Sequence, residues 1–189
     1  MNYENILNQR IQGVKPSGIR KFFDILEEMT DAISLGIGEP DFVTPWHIRD
    51  AGIYSLEKGF TKYTSNAGMA ELRREIAAYL NRRFGLQYDF AHQIVVTVGG
   101  SEAIDLAIRC LVGPGDEVLV PSPGFLLYYS SIPMLHAVPV PYVLKEPDYD
   151  WDGAPVSDRT KLMIFNNPNN PTGKVFSAEE MRDAADFVK

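Results

Sequence analysis

Cysteine is almost missing from this sequence. Cys110 is the only one among 189 residues, so no internal disulfide can form, and the scarcity of thiols fits a reducing compartment. The first residues, MNYENILNQRIQ, lack the apolar core of a signal peptide, and no apolar run approaches the length of a transmembrane helix. We therefore expect a cytoplasmic protein.

Positive charge is also scarce. Lys and Arg number 18 against 25 Asp and Glu, which gives a formal net charge of −7, and no basic stripe runs along the chain. This balance argues against a nucleic-acid-binding surface, which needs clustered Lys and Arg. The histidines His47, His92 and His136 are scattered without ligand spacing, so we expect no metal site.

Helix and strand patterns alternate along the chain from about residue 64. Apolar residues recur at helical spacing as far as Phe84, Gly85 supplies a left-handed cap, and apolar runs of strand length follow. The predicted order is helix Asn66–Phe84, strand Gln93–Val98, helix Ser101–Leu111, strand Glu117–Pro121, helix Phe125–Leu135, and strands Ala137–Tyr142 and Lys161–Phe165. Apolar strands between helices predict an α/β fold with a mostly parallel sheet covered by helices.

The two ends of the chain differ in character. Residues 1–45 are mostly irregular, with one predicted helix over Gly18–Met29. Near the other end, Ser177 and Glu180 form a capping box, and a helix is still running when the sequence stops at Lys189. One reading is a helix that frays at a natural C-terminus. We favour truncation inside a larger domain, because no Gly or Pro ends the helix and no strand follows it.

A glycine pair marks a candidate anion site. Thr97-Val98 ends a strand, Gly99-Gly100 allows close backbone approach, and a helix is predicted to begin at Ser101. The first amides of a helix have no internal partner and lie at its positive end, so a phosphate is favoured there. The alternative is a plain strand-to-helix turn with Ser101 as its cap. A dinucleotide fingerprint is absent, because the sequence has no GxGxxG here.

Two further turns follow strands. Asn166-Asn167-Pro168-Asn169-Asn170-Pro171-Thr172-Gly173 is a rigid loop at the carboxyl end of a strand, where open α/β sheets bind ligands. Its asparagines suit donation to a ligand oxygen, although good turn formers alone would give the same pattern. After Pro121-Ser122-Pro123-Gly124, the ring of Phe125 could stack on a flat heteroaromatic ring or simply pack in the core.

These stretches together resemble the class I/II aminotransferases, which are pyridoxal-phosphate enzymes of fold type I. Further matching stretches are Leu35–Phe42, Lys62–Gly68 with Glu71-Leu72-Arg73, and Gly113–Val118. The GIGEPDF and NNPNNPTG stretches favour the aspartate, aromatic and alanine branch. The resemblance implies a three-layer fold whose large domain, residues 46–189, is incomplete, with residues 1–45 in the small domain and substrate-covering arm.

The resemblance also implies roles for individual residues. Gly100, Ser101 and Glu102 would bring amides and the Ser101 hydroxyl to the phosphate of pyridoxal phosphate, Phe125 would stack on its ring, and Asn170 would donate to its phenolic oxygen. Tyr63 would reach the phosphate in the neighbouring subunit of a homodimer. Gly38 would meet the substrate carboxylate, and Ile19 would line the pocket for the amino-acid and 2-oxo-acid substrates.

The family's catalytic lysine has no match here. In the family it bonds the cofactor aldehyde and lies well after the asparagine loop, as do the aspartate at the ring nitrogen and the arginine at the substrate carboxylate. None of the eight lysines has that context, and Lys174 reads as a solvated surface charge. We therefore expect no catalytic residue before the end at Lys189 and no activity from this chain alone.

Three other functions remain open on the sequence alone. A carbon–sulfur β-lyase shares the fold and the cofactor and differs in proton handling. A non-catalytic pyridoxal-phosphate-binding regulatory module usually carries a winged-helix segment ahead of it, and little sequence precedes Gly38. A Rossmann-type nucleotide binder would explain Gly99–Ser101 but not the asparagine loop or Tyr63.

Overall fold

The computed structural model describes residues 6, 8–12, 38, 40–151 and 153–188. The helices are α1 (Gln9–Gln12), α2 (Trp46–Glu57), α3 (Ala70–Phe84), α4 (Gly99–Leu111), α5 (Leu126–Met134) and α6 (Ala178–Phe187); the strands are β1 (Glu117–Ser122), β2 (Val138–Val143) and β3 (Thr160–Met163). The chain divides into two compact units, Lys15–Thr97 and Met1–Val14 with Val98–Lys189. The helix predicted over Gly18–Met29 lies outside the described residues, as does Ile19.

A three-stranded parallel sheet is the centre of the unit that contains Val98–Lys189. Its order is β2-β1-β3, with Glu117 paired to both Val138 and Thr160. The central strand β1 is buried almost throughout, as strands in a sheet covered on both faces are. The predicted α/β class with a parallel sheet is therefore confirmed, and β2, which contains Pro139 and Pro141, lies at an edge of the sheet.

Alternate residues of β1 point to opposite faces of the sheet and enter two separate cores. Val118 and Val120 pack with residues of α4 and α5, such as Ile108 and Ile132. Leu119 faces the other way and packs in a second core, whose remaining buried members are Tyr142, Leu144 and Phe176. On that second face Trp151 also contacts Phe187 of α6, with ring centroids 5.4 Å apart.

The start of α6 follows its sequence signature closely. The Ser177 hydroxyl accepts from the Glu180 amide at 3.2 Å, and the Glu180 carboxylate accepts from the Ser177 amide at 2.7 Å. The predicted capping box is thus confirmed. None of the described helices is both long and apolar enough to cross a bilayer.

In the unit Lys15–Thr97, helix α3 is fixed at both ends. It ends at Gly85, whose φ of 69° is the predicted left-handed cap. Near its start, Arg73 is only 8% exposed and donates to the carbonyls of Gly68, Phe90 and Ala91 at 2.9 to 3.2 Å.

The strand predicted over Gln93–Val98 does not form among the described residues. The Val96 amide donates to the Ala67 carbonyl at 3.0 Å, but no neighbouring strand pairs with the run. A β-branched run has strand geometry only when another strand accepts its amides, so here tertiary context overrides the pattern. Val95 and Val98 remain 63% and 91% exposed.

Candidate functional site

The glycine pair opens α4 earlier than the sequence predicted. The helix begins at Gly99, not at Ser101, and Gly99 has a φ of 80°, which glycine adopts without strain. The amides of Gly100 and Ser101 therefore lie in the first turn, where a helix offers no acceptor for them, and the Glu102 amide lies four residues after the Val98 cap. The positive end of α4 is therefore suited to an anion.

The space around this helix start is open on the side of Gly100. A Cβ placed on Gly100 would meet no atom of the described residues within 4 Å, and the Ser101 side chain is exposed. The Glu102 carboxylate folds back and accepts from the Val98 amide at 2.5 Å. These backbone and hydroxyl donors fit a phosphate, provided that the carboxylate stays on Val98.

The Phe125 turn leaves the carboxyl end of β1. A Cβ on Gly124 would lie 2.1 Å from the Pro121 carbonyl oxygen, so the turn requires glycine at this position. Phe125 is half-buried, contacts Tyr128 edge-on with centroids 5.8 Å apart, and packs against the first core together with Ile104 of α4. Its ring thus packs partly in the core and is partly accessible to solvent.

The asparagine loop leaves the carboxyl end of β3, next to β1 in the sheet. Within it, Asn169 is 3% exposed, whereas Asn170 is exposed. The Asn169 amide group donates to the Pro123 carbonyl at 3.2 Å and to the Thr172 hydroxyl at 2.9 Å. The loop is therefore hydrogen-bonded to the Phe125 turn, and Asn170 follows directly on the residue that makes the bond.

Lys174 is not the solvated charge that the sequence suggested. Its side chain is only 15% exposed, and its ammonium donates to Asp150 at 2.5 Å and to Glu180 at 3.2 Å. The hydrogen bond to Asp150 is the main reason that the pKa of Lys174 is raised. Lys174 thus ties the end of the asparagine loop to Asp150 and to the first turn of α6, so it is not placed as a reactive amine.

The predicted site residues are divided between the two units of the chain. Ser101, Phe125 and Asn170 belong to one unit; Phe125 and Ile104 of α4 pack against the same core, and the Asn169–Pro123 bond connects the two loops. Tyr63 and Gly38 belong to the unit Lys15–Thr97, and both are exposed. Among the described residues no group of three or more His, Cys, Asp or Glu could hold a metal ion.

Asn169 is the residue of this site that the sequence did not single out. The motif contains four asparagines, and turn chemistry alone cannot tell which of them is buried. Only its position in the motif could have identified Asn169: it lies directly before Asn170 and three residues before Thr172, whose hydroxyl it contacts.

Comparisons with known proteins agree with this geometry. A family model for aminotransferase class I and II matches residues 30–189. The “Putative aminotransferase YugH” of Bacillus subtilis (strain 168) is 46% identical over 189 residues, 97% of this chain and 49% of that protein. An aspartate aminotransferase of Pyrococcus abyssi (strain GE5 / Orsay) is 38% identical over 96% of this chain and 48% of that protein.

Solved structures give the same result. The aspartate aminotransferase from Thermus thermophilus with maleate superposes with a TM-score of 0.87 at 34% identity, over 96% of this chain and 50% of that one. The chain spans about half the length of the curated relatives that it matches.

Proposed function

Because the chain belongs to the class I and II aminotransferase family, whose members depend on pyridoxal phosphate, we propose that the protein transfers the amino group of an L-amino acid to a 2-oxo acid. The unit that contains Val98–Lys189 would hold the cofactor. When bound, pyridoxal phosphate supplies the electron sink for the reaction, and the protein contributes binding and orientation.

The start of α4 would hold the cofactor phosphate. Three amides of one helix turn, those of Gly100, Ser101 and Glu102, would donate to its oxygens together with the Ser101 hydroxyl. Support comes from the open space beside Gly100 and from the position of Gly100 and Ser101 in the first turn, where their amides have no acceptor within the helix. The Glu102 side chain would act at the Val98 amide and not at the phosphate.

The ring of the cofactor would be held by Phe125 and Asn170. The observation that carries the proposal is the hydrogen bond from Asn169 to the Pro123 carbonyl, because it joins the two loops that carry these side chains. Phe125 packs against the same core as Ile104, a residue of the helix whose amides would bind the phosphate. The residues of the ring and phosphate subsites therefore belong to one unit.

The remaining roles concern the substrates and a second subunit. Gly38 and Ile19 would line the substrate pocket, and Tyr63 would reach the cofactor phosphate of the other subunit in a homodimer. The Tyr63 side chain is fully exposed, as such a role requires. Aspartate aminotransferases are among the relatives. The first amine donors to assay are therefore aspartate, aromatic amino acids and alanine.

Residues 1–189 alone would not catalyse this reaction. Among the eight lysines of the chain, the one nearest the site in sequence, Lys174, is engaged with Asp150 and Glu180. A cytoplasmic location is part of the same proposal, and the single, exposed thiol of Cys110 is compatible with it.

The test is cofactor binding to the protein as its gene encodes it, measured by absorption titration with pyridoxal phosphate. Ser101→Ala removes one donor to a charged group, so the Kd should rise about tenfold. Ser130→Ala is the control, because the Ser130 hydroxyl bonds only the Leu127 carbonyl of its own helix at 3.0 Å among the contacts seen.

Two results would contradict the proposal. One is a wild-type protein that shows no saturable uptake of pyridoxal phosphate. The other is a Ser101→Ala variant whose Kd equals that of Ser130→Ala.

A further inference from the structure

We infer that Asn169 is a positioning residue, which fixes the Phe125 turn and the asparagine loop relative to each other. One side-chain amide donates both of its hydrogens: one to the Pro123 carbonyl and one to the Thr172 hydroxyl. The role that we assign to this bridge is to hold Phe125 and Asn170 at a common cofactor ring, and this role rests on the proposed function. The bridge itself is a property of these two loops.

The burial of Asn169 supports a dedicated role. Its Oδ1 atom is buried and accepts no hydrogen bond from any residue that the structure describes. A buried carbonyl without a donor is unfavourable, and native proteins keep few such atoms. The orientation of the amide is therefore set by its two N–H donors, and satisfying them outweighs the unpaired oxygen.

The backbone of Asn169 transmits this orientation to Asn170. Its amide donates to the Lys174 carbonyl at 2.9 Å, and its carbonyl accepts from the Gly173 amide at 2.8 Å. Backbone and side chain of one residue thus close the loop on itself and attach it to the neighbouring turn. A rotation at Asn169 would displace Asn170, the next residue in the chain.

Asn167 provides a matched comparison within the same loop. Its Oδ1 atom accepts from the Phe176 amide at 3.1 Å, and its Nδ2 atom lies 3.9 Å from the Met181 sulfur. These contacts lead toward α6 and away from the Phe125 turn. Asn167→Ala therefore removes an asparagine from the loop without touching the bridge.

The first experiment measures hydrogen exchange in the cofactor-free protein as its gene encodes it. Asn169→Ala should raise exchange about three- to tenfold in both segments, 122–127 and 166–173, because the lost bonds restrain both. Asn167→Ala and Thr172→Val should raise it in 166–173 only. Asn169→Ser, a milder change, serves if the alanine variant does not fold. Unchanged exchange in 122–127 in the folded Asn169 variants would overturn the inference.

The second experiment uses the absorption of bound pyridoxal phosphate as a function of pH. Asn170→Ala removes the donor to the phenolic oxygen and should shift the midpoint of the spectral titration by about one pH unit. Asn169→Ala should shift it in the same direction by about half as much, whereas Asn167→Ala should leave it in place. A purely structural role would lower the Tm of Asn169→Ala and leave the midpoint unmoved.

The two experiments separate the inference from the proposed function. If the wild-type protein takes up no cofactor, the proposed function fails, and the exchange measurement still decides whether Asn169 couples the two loops. If the cofactor binds and Asn170→Ala moves the midpoint while Asn169→Ala does not, the inference fails and the proposed function stands.

Discussion

At the scale of single residues, Arg73 shows how a charged side chain serves as a backbone connector. Its guanidinium donates to three carbonyls, one in the turn before α3 and two in the segment that follows the helix at Phe90 and Ala91. Arginine suits this position because its planar group presents several donors in fixed directions. Arg74, the next residue, instead lies over the ring of Phe90 at 4.6 Å.

We expect Arg73→Ala to lower the free energy of unfolding by about 2–3 kcal/mol, because three backbone carbonyls lose the charged donor of a buried side chain. Arg74→Ala is the matched control and should lower the free energy of unfolding by less than about 1 kcal/mol, since an exposed cation–π contact contributes little to stability. Urea unfolding monitored by circular dichroism gives both values. Equal losses in the two variants would refute the role assigned to Arg73.

Residue roles that depend on local chemistry were predictable, and those that depend on distant contacts were not. Gly85 and the pair Ser177–Glu180 act on their own helix ends, so their signatures are complete within a few residues. The burial of Arg73 and Lys174 depends on partners as distant as Ala91 and Asp150. Spacing alone could not reveal those partners.

At the scale of elements, Tyr142 connects the two edges of the sheet. It lies on β2, is buried, and donates its hydroxyl to the Ile164 carbonyl at 2.8 Å, just after β3. The Ile164 amide in turn donates to the Leu119 carbonyl of β1 at 2.8 Å. One phenol therefore reaches past the central strand to the chain that enters the asparagine loop.

Burial raises the pKa of the Tyr142 phenol above its usual value of 10.0. The unfolded chain then loses this proton more readily than the folded chain. The stability that the Tyr142 hydroxyl contributes is therefore fully present below about pH 10 and declines above it. Tyr142→Phe should lower the free energy of unfolding by about 1 kcal/mol at pH 8. The difference in this free energy between wild type and variant should shrink by about 1 kcal/mol between pH 10 and 11. Denaturant unfolding at each pH measures this difference in free energy, and Tyr88→Phe, a change at an exposed tyrosine, is the control. A difference that stays constant with pH would contradict the prediction.

Element prediction failed where neighbours decide the conformation. The run at 94–98 has strand composition but no strand partner among the described residues, so it is irregular. Helix α2 was not identified, because apolar residues such as Trp46 and Leu56 are exposed on it and form no clear stripe. The strands of the sheet were found because each is an apolar run bounded by turn residues, and their ends differ from prediction by one or two residues.

At the scale of the whole molecule, the activity of residues 1–189 by themselves can be tested directly. The relatives are about twice as long as the matched chain, and no lysine of the present sequence stands in the family's catalytic context. We expect residues 1–189 alone, given pyridoxal phosphate, to convert an amino acid and 2-oxoglutarate no faster than free cofactor does. Product formation followed over hours, beside free cofactor under the same conditions, measures this. Sustained turnover by the 189 residues would contradict it.

The order β2-β1-β3 has a kinetic consequence. Glu117 pairs with both Val138 and Thr160, which lie far along the chain. Neither pairing can therefore form through a tight hairpin, and each requires the intervening stretch of chain to close into a long loop. Closing such loops costs entropy before any contact compensates it, which places parallel sheets among the slower structures to assemble. On a ribosome, β1 must remain without partners until the residues that shield it have emerged, and synthesis speed over this interval then determines how long its apolar faces are exposed to other chains.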